Sequence, residues 1–98
     1  MRVEFQATNT DIANNLRLLR KAHGRSRSCL ARAAGLTVPE VTVLECGLMQ
    51  FSGALVNVLA RGLEVSPNML LSDPEYVRRF VKWFRSKRAE GWDASRRR

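Results

Sequence analysis

Residue types that build metal or catalytic sites are scarce in this sequence. The 98 residues include one histidine, His23, and two cysteines, Cys29 and Cys46. Structural zinc sites need four closely spaced cysteine or histidine ligands, and a catalytic histidine needs an acid that orients it. Neither pattern is found, and no glycine-rich phosphate loop occurs. We therefore expect no metal site, no cofactor and no enzymatic activity.

The sequence also lacks a long apolar run. No segment approaches the roughly 20 apolar residues that cross a bilayer. The N-terminal MRVEFQAT lacks the apolar stretch of a signal peptide. Two cysteines in a chain of this size fit reduced thiols rather than a disulfide framework. We expect a cytoplasmic protein with no membrane partner.

Acidic residues are also few in this sequence. There are 9 acidic residues against 17 lysines and arginines, which gives a formal net charge of +8. Such a balance favours a polyanionic partner such as nucleic acid. Seven of the eight basic residues before Asp73 lie within residues 1–32. The hydrophobic content of 45% is ordinary for one globular domain.

The N-terminal arm, residues 1–9, is followed by a first helix. Residues 1–8 alternate between apolar and polar side chains, which predicts either a short strand paired with another strand or a frayed terminus. Thr10 then predicts the cap of a helix that ends at Gly24. The residues expected on its buried face are Ile12, Leu16 and Leu19.

Two short helices with a tight connection come next. The first runs from Ser26 to Gly35, where glycine tolerates a left-handed cap conformation. Thr37 and Glu40 have the spacing of a capping box, which predicts a further helix over about residues 38–46. Two helices joined by a glycine-containing turn of about three residues have the geometry of a helix-turn-helix, whose second helix enters the major groove of DNA. Similar turns also occur in helical bundles that do not bind DNA.

Two more helices complete a domain over residues 10–72. One begins at Ser52, and a short one begins at Ser66 and Pro67. The predicted apolar face of the longer helix comprises Leu55, Val58, Leu59 and Leu63.

A set of residues between positions 12 and 71 has a characteristic order and spacing. It comprises Ile12, Leu16, Leu19, Arg20, Gly24, Leu30, Ala31, Gly35, Leu36, Thr37, Val41, Leu44, Glu45, Cys46, Gly47, Leu55, Leu59, Ala60, Leu63, Glu64, Val65, Ser66, Leu70 and Leu71. This pattern resembles the lambda-Cro and phage-434-repressor family, also called the XRE family, of helix-turn-helix transcriptional regulators. The resemblance implies an all-α fold, a five-helix lambda-repressor-like DNA-binding domain with its third helix in the groove.

The resemblance also implies which residues read bases. By position these are Arg27, Val38, Pro39 and Val43, and the polar Thr37, Glu40 and Thr42 are the groups expected to face the groove with them. Family members often carry glutamine where this chain has three apolar residues and an arginine. The two valines can read only a thymine methyl or exclude bases sterically. Arg27 fits a guanine edge or a phosphate, and Glu40 fits a cytosine amino group or only its own capping box.

Contacts to the DNA backbone are expected from the first two helices. The predicted phosphate-binding residues are Asn15, Arg17, Arg20, Lys21, Arg25, Ser26, Ser28 and Arg32. The resemblance implies that Arg20 also pairs with Glu45, which would join the first helix to the third. The alternative is that both side chains are solvated.

A sixth helix is predicted within residues 73–90, followed by a basic tail of residues 91–98. Its apolar face comprises Tyr76, Val77, Phe80, Val81, Trp83 and Phe84. We expect this face, joined by Val3 and Phe5, to form a subunit interface. One alternative is that the helix packs on its own domain, and another is that residues 75–89 lie on an anionic membrane.

The function expected from these features is sequence-specific binding to double-stranded DNA. The favoured hypothesis is a transcriptional repressor that binds a palindromic operator as a homodimer. Its occupancy would follow its own concentration or a partner such as a co-repressor. The alternative is an antitoxin-type DNA-binding protein whose C-terminal helix binds a toxin.

Overall fold

The computed structural model describes residues 6–89, which form six helices. They are α1 (Asn9–Ala22), α2 (Arg27–Ala34), α3 (Val38–Glu45), α4 (Gly53–Leu63), α5 (Pro67–Leu70) and α6 (Pro74–Ala89). The all-α prediction of five helices plus a C-terminal helix is confirmed. Residues 6–8 have no strand structure. The rest of the predicted strand, including Val3 and Phe5, and the basic tail lie outside the described residues.

Helix α1 begins two residues earlier than the sequence pattern predicts. Thr8, and not Thr10, is the N-cap, and it forms a complete capping box with Asp11. The Asp11 amide donates to Thr8 Oγ1 at 3.1 Å, and the Thr8 amide donates to Asp11 Oδ2 at 3.1 Å. An acidic residue three positions after Thr8 makes this cap reciprocal, whereas alanine occupies the corresponding position after Thr10.

The core is a single cluster to which all six helices contribute. Its fully buried members are Leu16, Leu19, Leu30, Val41, Leu44, Leu59, Leu63, Leu70 and Val77. Each such leucine stabilises the fold by roughly 1.5–3 kcal/mol. The α1 stripe of Ile12, Leu16 and Leu19 is buried as predicted.

The buried surface of α4 differs from the predicted face. Leu59 and Leu63 are buried, but Val56 and Ala60 accompany them, and the expected Leu55 and Val58 are only half-buried. Helix α4 contacts α1, α2 and α5, so more than one stripe of its surface is covered. A helix with several neighbours does not follow a simple one-sided pattern.

Gly62 allows α4 to approach α2 closely. A Cβ atom placed on Gly62 would lie 3.2 Å from Leu30 Cδ1 and 3.4 Å from Ala33 Cβ. Both of these neighbours belong to α2. The absence of a side chain therefore lets α4 pack closely against α2, the helix that opens the helix-turn-helix.

Helix α6 packs against α1 of its own chain, which corrects the prediction that its whole apolar face is a subunit interface. Val77 and Val81 are buried in the common core, and Phe80 and Phe84 are half-buried. Contact with the same chain carries no cost of association, whereas a subunit interface must overcome lost translational and rotational freedom. Of the predicted face, only Tyr76 and Trp83 are exposed, at 55% and 49%.

The end of α6 meets the end of α1 through an aromatic contact. The centroids of the His23 and Phe84 rings are 4.8 Å apart. Burial lowers the pKa of His23 below its usual value, and the nearby charges of Arg25 and Arg88 lower it further, while Glu64 acts in the opposite direction. His23 is therefore neutral at neutral pH and packs as an aromatic ring.

None of the helices in residues 6–89 is both long enough and apolar enough to cross a membrane.

Candidate nucleic-acid interface

Helices α2 and α3 and the turn between them form a helix-turn-helix. Gly35 ends α2 in the left-handed conformation, with φ of 74°. The Leu36 amide donates to the Ala31 carbonyl at 2.8 Å and closes the turn. Thr37 then caps α3: its amide donates to Glu40 Oε1 at 2.8 Å, and its Oγ1 accepts from the Glu40 amide at 3.2 Å. Both helix ends at the turn are thus satisfied locally, which makes the angle between the helices well defined.

The first turn of α3 projects from the protein. Thr37, Val38, Pro39 and Glu40 are all exposed, and Val38 exposes 41% of its surface although it is apolar. On the opposite side of the helix Val41, Leu44 and Glu45 are buried. Thr42 and Val43 are half-buried. The predicted base-reading residues of α3 thus share its solvent side.

Two of the polar groups on α3 already have intramolecular partners. The Thr42 hydroxyl donates to the Val38 carbonyl at 3.0 Å, so its oxygen can only accept a further hydrogen bond. The Glu40 carboxylate accepts from both the amide and the hydroxyl of Thr37. The sequence allowed Glu40 either a capping role or a base-reading role. The structure shows the capping role.

A buried carboxylate links α1, α2 and α3. Glu45 is 1% exposed and accepts two hydrogen bonds from Arg20, through Nε to Oε2 and through Nη2 to Oε1 at 3.1 Å. The predicted pair of Arg20 with Glu45 is present, and it is bidentate. Arg27 also takes part, because its Nε donates to Glu45 Oε1 at 3.0 Å. The Arg27 side chain is 41% exposed, so Glu45 holds the Nε edge of its guanidinium while the rest of the side chain reaches solvent.

Six of the eight predicted phosphate-binding residues fall into two groups, one exposed and one half-buried. Lys21, Ser26, Ser28 and Arg32 are exposed around α2. Arg17 and Arg25 are half-buried and bind backbone carbonyls, those of Glu45 and Gly62 respectively. Arg25 also lies 3.4 Å from the carboxylate of Glu64. The four exposed residues are therefore better placed to contact DNA phosphates than the two half-buried arginines.

Asn15 and Arg20 do not lie where a phosphate could reach them, and the prediction for both is corrected. Asn15 is fully buried, and its Nδ2 donates to the carbonyls of Leu70 and Ser72 at 2.9 and 2.7 Å. Arg20 is 8% exposed and donates to Glu45 and to the Arg25 carbonyl. In both cases a polar side chain on α1 satisfies groups inside the fold instead of facing solvent.

Asn9 has a positioning role that was not predicted from the sequence. Its Nδ2 donates to the carbonyl of Met49 at 2.8 Å, and its Oδ1 accepts from the Phe51 amide at 3.0 Å. These bonds anchor the loop after α3 to the start of α1. A polar residue at the start of a helix is so common that no local signal distinguishes this one.

The two thiols and the acids do not form a metal site in the described residues. Cys29 and Cys46 are free thiols, and both are exposed. Within residues 6–89, no three or more histidine, cysteine or acidic side chains lie close enough together to hold a metal ion.

Two solved structures are similar to this chain. One is the restriction-modification controller protein C.AhdI from Aeromonas hydrophila, at 32% identity and a TM-score of 0.62; the match covers 64% of this chain and 96% of the controller. The other is NHTF from Neisseria, a hypothetical transcription factor, at 24% identity and a TM-score of 0.67, with 82% of this chain and 97% of that chain covered. The second likeness concerns the fold alone. No protein-family model and no curated protein matches the sequence.

Proposed function

Because the chain belongs to the lambda-Cro and phage-434-repressor (XRE) family of helix-turn-helix transcription regulators, we propose that it represses transcription as a homodimer on a palindromic operator. DNA binding and transcription regulation are the functions of this family, whose members are not enzymes. The observation that carries the proposal is the exposed first turn of α3, together with the buried Glu45 at the end of the same helix, which holds Arg27. Base reading needs a recognition helix held in a defined position, and the hydrogen bonds of Glu45 connect α3 to α1 and α2.

Arg27 is the residue proposed to read a guanine. Its Nε is engaged by Glu45, which leaves the two terminal nitrogens for a bidentate contact with guanine O6 and N7. A guanidinium held by a carboxylate loses less side-chain freedom on binding than a solvated one. Val38 is proposed to contact a thymine methyl, and Thr42 to accept a hydrogen bond from a base amino group.

The exposed residues around α2 are proposed to bind phosphates. Lys21 and Arg32 supply charge, and Ser26 and Ser28 lie at the start of α2, where the helix dipole favours an anion. Such contacts set the register of the protein on the duplex without reading sequence.

A homodimer is proposed because one helix-turn-helix makes few base contacts and gains affinity by joining two half-sites about 34 Å apart. Tyr76 and Trp83 are the remaining exposed part of the predicted interface. They lie seven residues apart on α6, so they share one side of the helix about 10 Å apart along its axis. The proposal that this helix binds a toxin is less favoured, because α1 covers much of the apolar surface that such a partner would need.

Selection of bound DNA from a random pool tests the proposal. We expect a two-fold symmetric consensus containing a guanine in each half-site. Arg27→Ala is expected to weaken the preference for that guanine by about 1–3 kcal/mol, a factor of about 5 to 150. Lys21→Ala is the control, since loss of a phosphate contact weakens binding to all sequences alike. A parent protein that selects no consensus would contradict the proposed function, and equal base preferences in the parent and Arg27→Ala would remove Arg27 from base reading.

The subunit interface has its own test in sedimentation equilibrium. We expect Trp83→Glu to convert the dimer to a monomer, because it places a charge in the exposed aromatic stripe. Phe80 is unsuitable for this purpose, since it is half-buried against its own core and a charge there would disturb folding. Lys82→Glu, at the adjacent exposed position, is the control and should stay dimeric. A Trp83→Glu protein with unchanged mass would place the interface elsewhere, and a monomeric parent would overturn the homodimer.

A further inference from the structure

Helix α6 presents a strongly basic surface to solvent. The helix carries six basic residues, Arg78, Arg79, Lys82, Arg85, Lys87 and Arg88, against one acid, Glu75. Arg78, Lys82 and Arg85 recur at i, i+4 and i+7 and so form one exposed stripe. Glu75 offsets part of the positive charge at the start of this surface, since its carboxylate accepts a hydrogen bond from Arg78 at 3.3 Å. The second half of α6 contains no acid, so its charge is not balanced within the helix.

The uncompensated end of α6 lies beside the turn that leads into α2. Phe84 contacts His23, and the guanidinium carbon of Arg88 is 5.6 Å from the centroid of the Phe84 ring. His23 is the C-cap of α1, and the N-cap of α2, Ser26, follows three residues later. The start of α2 is where a DNA phosphate is proposed to bind. The end of α6 therefore lies next to the proposed path of the DNA backbone.

In the part of the chain that the structure describes, the acid beside this turn does not cancel the charge. Arg25, within the same turn, is directed to the Gly62 carbonyl and lies 3.4 Å from Glu64, so Glu64, which also acts on His23, is already paired. Arg85 and Arg88 are both exposed. Arginine is well suited to phosphate because its guanidinium can donate two parallel hydrogen bonds. Arg88 lies over the Phe84 ring that contacts His23, on the side of α6 nearest the start of α2, and Arg85 lies one helical turn before it.

We infer that Arg85 and Arg88 bind phosphates of the DNA backbone and thereby extend the protein–DNA interface beyond the helix-turn-helix. The inference rests on the proposed function, because it places α6 on the same duplex. An anionic membrane offers similar headgroup chemistry, but a membrane-surface helix inserts its apolar face. In α6 the centre of that face, Val77 and Val81, is buried against α1, so DNA is the partner that the structure favours.

The test compares two double variants of the full chain that each remove two positive charges from α6. One is Arg85→Gln with Arg88→Gln at the end of the helix, and the other is Arg78→Gln with Arg79→Gln at its start. Ten residues separate Arg78 from Arg88, which corresponds to about 15 Å along the helix. Operator affinity is measured over a range of salt concentrations, together with a hydroxyl-radical footprint. Each lost phosphate contact should reduce the slope of log affinity against log salt by about 1.

The variant Arg85→Gln with Arg88→Gln (the end variant) should show a salt slope smaller by about 1–2 and should lose the footprint on the DNA backbone that flanks the half-site. The variant Arg78→Gln with Arg79→Gln (the start variant) should resemble the parent in slope and in footprint. Because Arg88 contacts Phe84, Arg88→Lys is included; it keeps the charge and should keep the slope. Equal slopes of log affinity against log salt in the two double variants would overturn the inference. The proposed function would still stand if the parent selected an operator. Binding of the parent to phosphatidylserine vesicles that the end variant loses, with its DNA slope unchanged, would also overturn it in favour of a membrane.

Discussion

Replacing Glu45 with alanine is expected to lower the free energy of unfolding by about 3–5 kcal/mol. The Glu45 carboxylate is buried and accepts hydrogen bonds from Arg20 and Arg27. Without it, the Arg20 guanidinium stays in the interior, 8% exposed, with no counter-charge. The cost is large because the remaining charge is poorly solvated, and not because the intact pair is itself strongly stabilising.

Urea denaturation followed by circular dichroism measures this effect. Glu40→Ala is the matched control on the same helix, since Glu40 is exposed and its hydrogen bonds within the fold are those of the capping box; a loss of about 1 kcal/mol is expected there. The double variant Arg20→Met with Glu45→Leu removes both buried charges and should recover most of the stability lost in Glu45→Ala. Similar losses in Glu45→Ala and Glu40→Ala would contradict the role given to the buried carboxylate.

Leu44→Ala is expected to cost about 2–5 kcal/mol of unfolding free energy. Leu44 is fully buried where α3 meets the core, so truncation leaves a cavity as well as removing apolar contacts. The same cavity lies directly beneath the helix proposed to read DNA. We therefore expect operator affinity to fall together with stability, as measured by denaturation and by DNA titration.

Leu48 provides the control for this change. It lies four residues further along, just after α3, and is 77% exposed. Leu48→Ala is the same chemical change with no cavity, and a surface substitution of this kind is expected to alter stability by no more than about 0.5 kcal/mol. If the two alanine variants were equally stable, α3 would not be held by core packing.

Helix boundaries were the most predictable part of this fold. Ser26, Thr37 and Ser52 cap α2, α3 and α4 as expected, and Gly35 ends α2. Such caps depend on hydrogen bonds between residues three positions apart, so the relevant information is local. The exception, Thr8 in place of Thr10, follows the same rule, since only Thr8 has an acid three residues later.

The candidate site was less predictable where its polar residues lie on α1. Asn15 and Arg20 are residue types that usually face solvent on a helix, yet both side chains are buried. Asn15 satisfies carbonyls 55 and 57 residues away, at the junction of α5 and α6. A polar residue on a helix gives no sign of whether water or a distant carbonyl will be its partner.

The order of caps, glycines and apolar residues determined six helices and the helix-turn-helix, and the excess of lysine and arginine determined the basic character of the protein. Only the packing decided that α6 covers α1, that Glu45 holds both Arg20 and Arg27, and that Asn15 is buried. The physical reason is the range of the interactions. Capping and helical periodicity act over three or four residues, whereas burial depends on which distant segment of the chain packs against each helix face.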